Sequence, residues 1–314
     1  MNKQRRLFLT QLSAIAGIAA IDKPFNSVAA VSKHINTIYA SAYAVTVYHT
    51  NNLHGKMTVA HQQIGGISQV KQVIEQQDIS GLMLDAGSFL SDSENLSDQK
   101  CIIRAMNSMG YHAATPGENE LKNGQEQLAA FIPFMKFTLV NCNYGFNDSL
   151  KALVKPYITI NTGKYKVGIT GVGKPLNGVI YNDAVKCANN TALLLREKEG
   201  CDLVFCLSHL GKGDKENAPG NKEFAKQSEN IDMIIADCGD KLVKGPRIVR
   251  NATKSQVVLS QAGSEGLMTG RTVFTFGQAK QQNGIRAKYF IPGQSPDQTF
   301  SESLTIIRSK EKTD

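Results

Sequence analysis

The chain has 314 residues, 41% hydrophobic and 20% charged, an ordinary globular composition that excludes a disordered or collagen-like protein. Its formal charge of +8 is uneven: Lys3, Arg5, Arg6 and Lys23 against Asp22 give residues 1–30 a net +3, and the other +5 is dispersed without a run of five like charges, which excludes a nucleic-acid stripe. No run of 18 apolar residues is present; a spanning helix needs about 20, so the mature chain is expected to have no membrane span.

The first segment reads as an address. Arg5-Arg6-Leu7-Phe8-Leu9 precedes a weakly apolar, small-residue run from Leu12 to Ile21, and Val28-Ala29-Ala30 offers a cleavage site. This resembles a twin-arginine signal, so residues 1–30 are assigned as signal peptide and the protein is expected to be periplasmic or otherwise exported. Residues 31–41 read as a linker.

From there apolar runs of strand length alternate with helical patterns. Tyr43–His49 is strand, Gly66–Gln77 helix and Gly81–Asp85 strand; Cys101–Met109 is helix, Ala113–Thr115 a short strand, Gln125–Phe131 helix and Lys136–Val140 strand. In the second half Tyr157–Ile160 and Lys166–Gly171 form a strand pair about the turn Asn161-Thr162-Gly163. Ala184–Gly200 is helix, Asp202–Ser208 a buried strand, Asn221–Gln227 helix and Asp232–Ile235 strand, and Val257–Gln261 and Arg271–Phe276 close the pattern as expected antiparallel neighbours. With no repeat and no Pro/Gly/Ser-rich linker, the sequence predicts one α/β domain over 42–295 and a charged tail over 296–314.

Six cysteines, Cys101, Cys142, Cys187, Cys201, Cys206 and Cys238, are scattered without a Cys-x-x-Cys pair, which excludes a zinc ribbon. Cys201 and Cys206 flank an apolar run and read as core.

Chemistry-bearing residues cluster just after strand ends, where open α/β sheets place their sites. The loops are Thr50-Asn51-Asn52-Leu53-His54-Gly55, Asp85-Ala86-Gly87-Ser88, Pro116-Gly117-Glu118-Asn119-Glu120, Ser208-His209-Leu210-Gly211 and Asp237-Cys238-Gly239-Asp240. His54, Asp85, Glu118, His209, Cys238 and Asp240 are metal-capable types on successive loops, as a site assembled from distant segments requires. Taken singly, each has a plainer reading as a turn or cap former.

The order and wording of these loops resemble the bacterial 5'-nucleotidases of the calcineurin-like metallophosphoesterase superfamily. His49–Gly55 matches His-Thr-Asn-Asp-x-His-Gly except at Asn52. Asp85-Ala86-Gly87-Ser88 stands for Asp-Ala-Gly-Asp, Asn107–Glu120 for Asn-x-x-Gly-Tyr-Asp-Ala-x-Thr-x-Gly-Asn-His-Glu, and Asp237-Cys238-Gly239-Asp240 for Gly-His-x-His. Leu207–Gly211 and Gln261–Arg271 are retained, so the resemblance spans about 43–277. It implies a four-layer sandwich of two mixed β-sheets flanked by helices, with the loops converging at one edge and His54 and His209 facing one cavity.

The resemblance also implies two metal ions sharing a bridging aspartate and activating a water. That bridge falls on Ser88, a neutral hydroxyl. One metal's set becomes Asn52, His54, Ser88 and Asp240, the other's Ser88, Glu118, His209 and Cys238. The family's catalytic His and Asp fall on Asn119 and Lys122, and Asn cannot act as a general acid. The expectation is at most one divalent ion, zinc or manganese, or none.

The first functional expectation is an exported pseudo-phosphatase that binds a phosphate-containing small molecule weakly. The alternatives are an active metal-dependent phosphomonoesterase with a rewired mononuclear site and a purely structural domain. The family's nucleotide-gripping C-terminal domain finds no counterpart after Phe290, so a separately encoded nucleotide-binding partner is a further expectation.

Overall fold

The computed structural model describes residues 37–38, 43–58, 64–77, 80–93, 95–213, 219–237, 245–291 and 300–302. The assigned signal peptide lies outside them, as do Cys238 and Asp240. In chain order the first half runs β1 (Thr37–Ile38), β2 (Ala44–Thr50), α1 (Ile67–Glu75), β3 (Leu82–Asp85), α2 (Leu96–Met109), β4 (Ala113–Ala114), α3 (Glu118–Leu121), α4 (Gln125–Phe131), β5 (Thr138–Leu139), β6 (Tyr144–Gly145) and α5 (Asp148–Lys151). The second half continues β7 (Tyr157–Thr162), β8 (Tyr165–Gly173), β9 (Ile180–Tyr181), α6 (Ala184–Glu197), β10 (Leu203–His209), α7 (Asn221–Gln227), β11 (Met233–Ala236), β12 (Arg247–Arg250), β13 (Gln256–Gln261), β14 (Thr269–Phe276), β15 (Gln282–Phe290) and β16 (Phe300–Glu302).

Two seven-stranded mixed sheets result, in the orders β1-β7-β8-β10-β11-β13-β12 and β16-β15-β14-β2-β3-β4-β5. The period-2 strand pattern builds the layers. Val45, Val47, Leu82, Leu84, Phe205, Leu207, Met233, Ile235 and Phe274 project between the sheets. Tyr48 and Met83 project outward against Val70 of α1 and Ile102, Ile103 and Met106 of α2. Val204, Cys206 and Ile234 project from the other sheet against Ala188, Ala192 and Leu195 of α6 and Phe224 of α7. Helix, sheet, sheet, helix is the four-layer α/β sandwich expected. Helix ends follow capping chemistry: the Asn95 side chain accepts from Ser97 N–H to start α2, and Gly110, at φ 75°, ends it.

Three features differ from expectation. Strands β13 and β14 are not neighbours: β13 pairs parallel with β11 and β14 pairs antiparallel with β2, because the 263–266 segment carries the chain from one sheet to the other. Strands β12 and β15 are absent from the sequence pattern: β12, at a sheet edge, has two exposed arginines about two half-buried residues, and β15, next to an edge, alternates buried with charged positions. Finally, β1 and β16 fall in the segments read as linker and tail, where they pair with β7 and β15. Among the described residues no helix is long and apolar enough to cross a membrane.

Candidate functional site

The loops after β2, β3, β4 and β10 meet at one edge of the sandwich. A backbone ladder joins the first two: Asn52, His54 and Gly55 N–H donate to the carbonyls of Gly87, Ser88 and Phe89, each at 2.9 Å. To turn this way Asn52, His54 and Ser88 take φ of 48°, 48° and 54°. Such left-handed positions are uncommon outside glycine and persist where surrounding contacts hold them.

Two buried carboxylates supply those contacts. Asp85 accepts Thr50 Oγ1–H at 2.6 Å and Gly87 N–H at 2.8 Å, closing the turn before Ser88. Glu120, on α3, accepts Ser88 N–H and Gly117 N–H at 2.8 Å and Leu90 N–H at 2.7 Å, which ties the loop after β3 to the loop after β4. Burial pushes both acids up to about 7, against the donors that favour their ionised forms. Glu120 holds the loops rather than reaching a ligand. Its spacing three residues after the N-cap Gly117 is a capping-box signal, but its hold on Ser88 and Leu90 is written in no side chain.

His209, 3% exposed at the end of β10, is fixed at both ring nitrogens. Nδ1 lies 3.0 Å from Ala86 O and Nε2 3.2 Å from Ser88 Oγ. A carbonyl only accepts, so Nδ1 carries the proton and Nε2 accepts from the Ser88 hydroxyl. Asp237 Oδ2 lies 3.9 Å from Nδ1, and Asp237 Oδ1 accepts Gly211 N–H and Asn221 Nδ2–H, at 2.8 and 2.7 Å. Asp237 was legible only as a loop residue.

His54 is linked to the same cluster. Asn119 Nδ2 donates to Leu90 O at 2.7 Å and lies 3.1 Å from His54 Nδ1, while Asn119 N–H lies 3.5 Å from Ser88 Oγ. Burial lowers the His54 pKa, opposed first by the charge of Glu265. His54, Asn119, Ser88 and His209 thus form one contiguous cluster, and backbone passes close beside it: a Cβ on Gly117 would lie 2.5 Å from Ser88 N and 2.9 Å from His209 Nε2.

Glu118 lies within electrostatic reach of His54 and His209. Glu118 is exposed and paired with Lys174 at 2.8 Å, a contact that holds its carboxyl below the usual range. Lys122 is an exposed residue at the end of α3. Asn52 is buried under its own turn, its N–H given to Gly87 O.

A pair of divalent metals does not fit the described residues. At Ser88, the expected bridging position, a hydroxyl faces an imidazole nitrogen; Asp85 is turned to the Thr50 hydroxyl and Gly87 N–H, Glu120 to three backbone N–H groups, and Glu118 to a lysine. Among the described residues no three His, Cys, Asp or Glu side chains are grouped to hold an ion.

No family model matches the chain. It is 25% identical over 279 residues to the trifunctional nucleotide phosphoesterase protein YfkN of Bacillus subtilis, covering 74% of this chain and 18% of that protein. It is 26% identical over 239 residues to a 5'-nucleotidase of Vibrio cholerae, covering 68% of this chain and 43% of the other. The chain therefore spans less than half the length of these curated relatives. Among solved structures, the 5'-nucleotidase precursor from Thermus thermophilus superposes with a TM-score of 0.67 at 20% identity, covering 80% of this chain and 55% of that one.

Proposed function

We propose that this chain, similar to 5'-nucleotidases of the calcineurin-like metallophosphoesterase superfamily, is an exported pseudo-phosphatase, a phosphate-ligand binder of this fold with turnover near background. The observation that carries the reading is the 3.2 Å contact between Ser88 Oγ and His209 Nε2. Where a family member needs a carboxylate to hold two cations about 4 Å apart, this chain sets a hydroxyl against an imidazole nitrogen. Asn119, at the acid position, is held by Leu90 O and has no proton to give a leaving group.

At most one divalent ion, zinc or manganese, accompanies this reading, with His209 as a ligand and no step of hydrolysis routed through it. Export rests on the paired Arg5-Arg6. The ligand is a phosphate-containing small molecule, and a separately encoded partner that grips the nucleoside remains part of the proposal. The test is metal analysis of the purified full chain, then turnover of nucleoside monophosphates and an aryl phosphate with zinc, manganese or cobalt added. Background turnover and no more than one equivalent of metal are expected. Two retained equivalents, or turnover at about 1–10³ s⁻¹, would overturn the reading in favour of an active hydrolase.

A further inference from the structure

Across Asp237 from His209 lies a cavity of about 270 Å³ that the family site does not use. It opens between the turn after β10, the first turn of α7 and the edge strand β12. Its floor is Leu259 of β13, and opposite Leu259 in the register stands Arg247 of β12. Lys212 and Lys222 complete a wall of three cations.

The walls are fixed before any ligand arrives. Asn221 Oδ1 accepts Ser208 Oγ–H at 2.6 Å and its Nδ2 donates to Asp237, while Gln261 Nε2 donates to Asp237 O at 2.8 Å. The cations, in contrast, have no ion-pair partner among the described residues. Glu223 is the one acid in the lining, and its carboxylate lies 3.2 Å from Lys226 Nζ. Among the described residues no carboxylate lies within ion-pair distance of Lys212, Lys222 or Arg247. Exposed lysines scattered singly are ordinary surface; three cations lining one concavity, with the one acid of the lining already paired and Asp237 held behind the wall by Gly211 and Asn221, favour an anion there.

We propose that this cavity is an anion subsite that takes the phosphate of a small phosphate monoester. Arg247 offers a planar fork to two phosphate oxygens, Lys212 and Lys222 offer point charges, and Leu259 gives an apolar contact to the organic part. The assignment rests on the phosphate-ligand reading above and deepens it: the ligand is held beside the degenerate cluster, not on it. The volume suits a phosphate with a small appended group, and the exposure of the cations makes binding salt-sensitive.

The experiment is calorimetric titration of the full chain with inorganic phosphate and, separately, with adenosine monophosphate, at 20 and 200 mM chloride. A Lys212→Glu, Arg247→Glu double variant and an Arg247→Lys variant are compared with Ser88→Ala, which alters the family site alone. Thermal denaturation confirms that each remains folded. Expected is binding that weakens roughly tenfold or more in the double variant, falls less in Arg247→Lys, drops with chloride and survives Ser88→Ala. Equal binding by wild type and double variant, or no binding of either probe by wild type, overturns the subsite. Loss only in Ser88→Ala moves the ligand to the family cluster and also overturns it. The pseudo-phosphatase reading stands or falls separately, on turnover.

Discussion

Ser88 and His209, 121 residues apart in sequence, meet at 3.2 Å between Oγ and Nε2, and Ala86 O fixes the same ring 3.0 Å from Nδ1. The serine and histidine satisfy each other, joining the loop after β3 to the end of β10.

Restoring the family's side chains should reverse this. Ser88→Asp, Asn52→Asp, Asn119→His and Lys122→Asp together should raise metal content to two equivalents and bring hydrolysis of an aryl phosphate above background, since each acid or base group is worth about 10²–10⁴ in rate. Aspartate tolerates the φ of 54° at position 88 better than most residues. A folded quadruple variant with unchanged metal content by mass spectrometry would mean that the loops, not the ligands, block metal.

Replacing His209 by Ala removes a side chain bonded at both nitrogens. Any single ion retained by the wild type should be lost after dialysis, and stability should fall by about 1–3 kcal/mol because the Ser88 hydroxyl loses its acceptor inside the core. Metal content and a denaturant midpoint read the two effects separately.

Glu120 is expected to matter more for the loops than any candidate ligand. In Glu120→Ala three buried N–H groups, from Ser88, Leu90 and Gly117, lose their acceptor, at about 1–3 kcal/mol each. Glu120→Gln retains one acceptor oxygen and should cost a fraction of that. For a domain of this size each kcal/mol lowers the melting temperature by about 2–4 °C. Equal midpoints for Glu120→Ala and wild type would contradict the role assigned to it.

Stability should be greatest in mildly acidic solution. Burial raises Asp85 and Glu120 to about 7, so between their unfolded values and pH 7 the folded state holds more protons than the unfolded one. Their contribution is present at low pH and is lost as pH rises toward and through 7, by up to roughly 1.4 kcal/mol per pH unit per group. Buried His49 and His112 are depressed to about 3 and about 4, so their contribution is present above about 6.5 and is lost as pH falls toward those values. The opposed slopes nearly cancel over about pH 4.5–6.5, so stability is level there and falls on either side. Asp85→Asn, which can still meet Gly87 N–H and the Thr50 hydroxyl, should flatten the alkaline limb in urea titrations at pH 5, 6, 7 and 8. An unchanged limb would remove Asp85 from the account.

The strands that carry the site were legible because β2, β3, β10 and β11 are buried on both faces and are mainly apolar runs of strand length. β12, with Arg247 and Arg250 at its ends, and β15, with Arg286 and Lys288, hide at or near sheet edges where one face is wet. The pairing of β13 with β14 was misread because consecutive strands are usually neighbours, and the 263–266 segment breaks that habit. In the site, side-chain types marked the loops. The grip of Glu120 on three amides and the turning of Glu118 to Lys174 depend on backbone positions and distant partners that spacing cannot reveal.

The antiparallel seam between β2 and β14 joins residues more than 200 positions apart. At about 5–20 residues per second, a ribosome delivers β14 on the order of 10–50 s after β2. Throughout that interval Ala44–Thr50, destined for burial on both faces, has one edge open to any other strand in reach. A nascent chain built this way keeps that edge unpaired until β14 emerges.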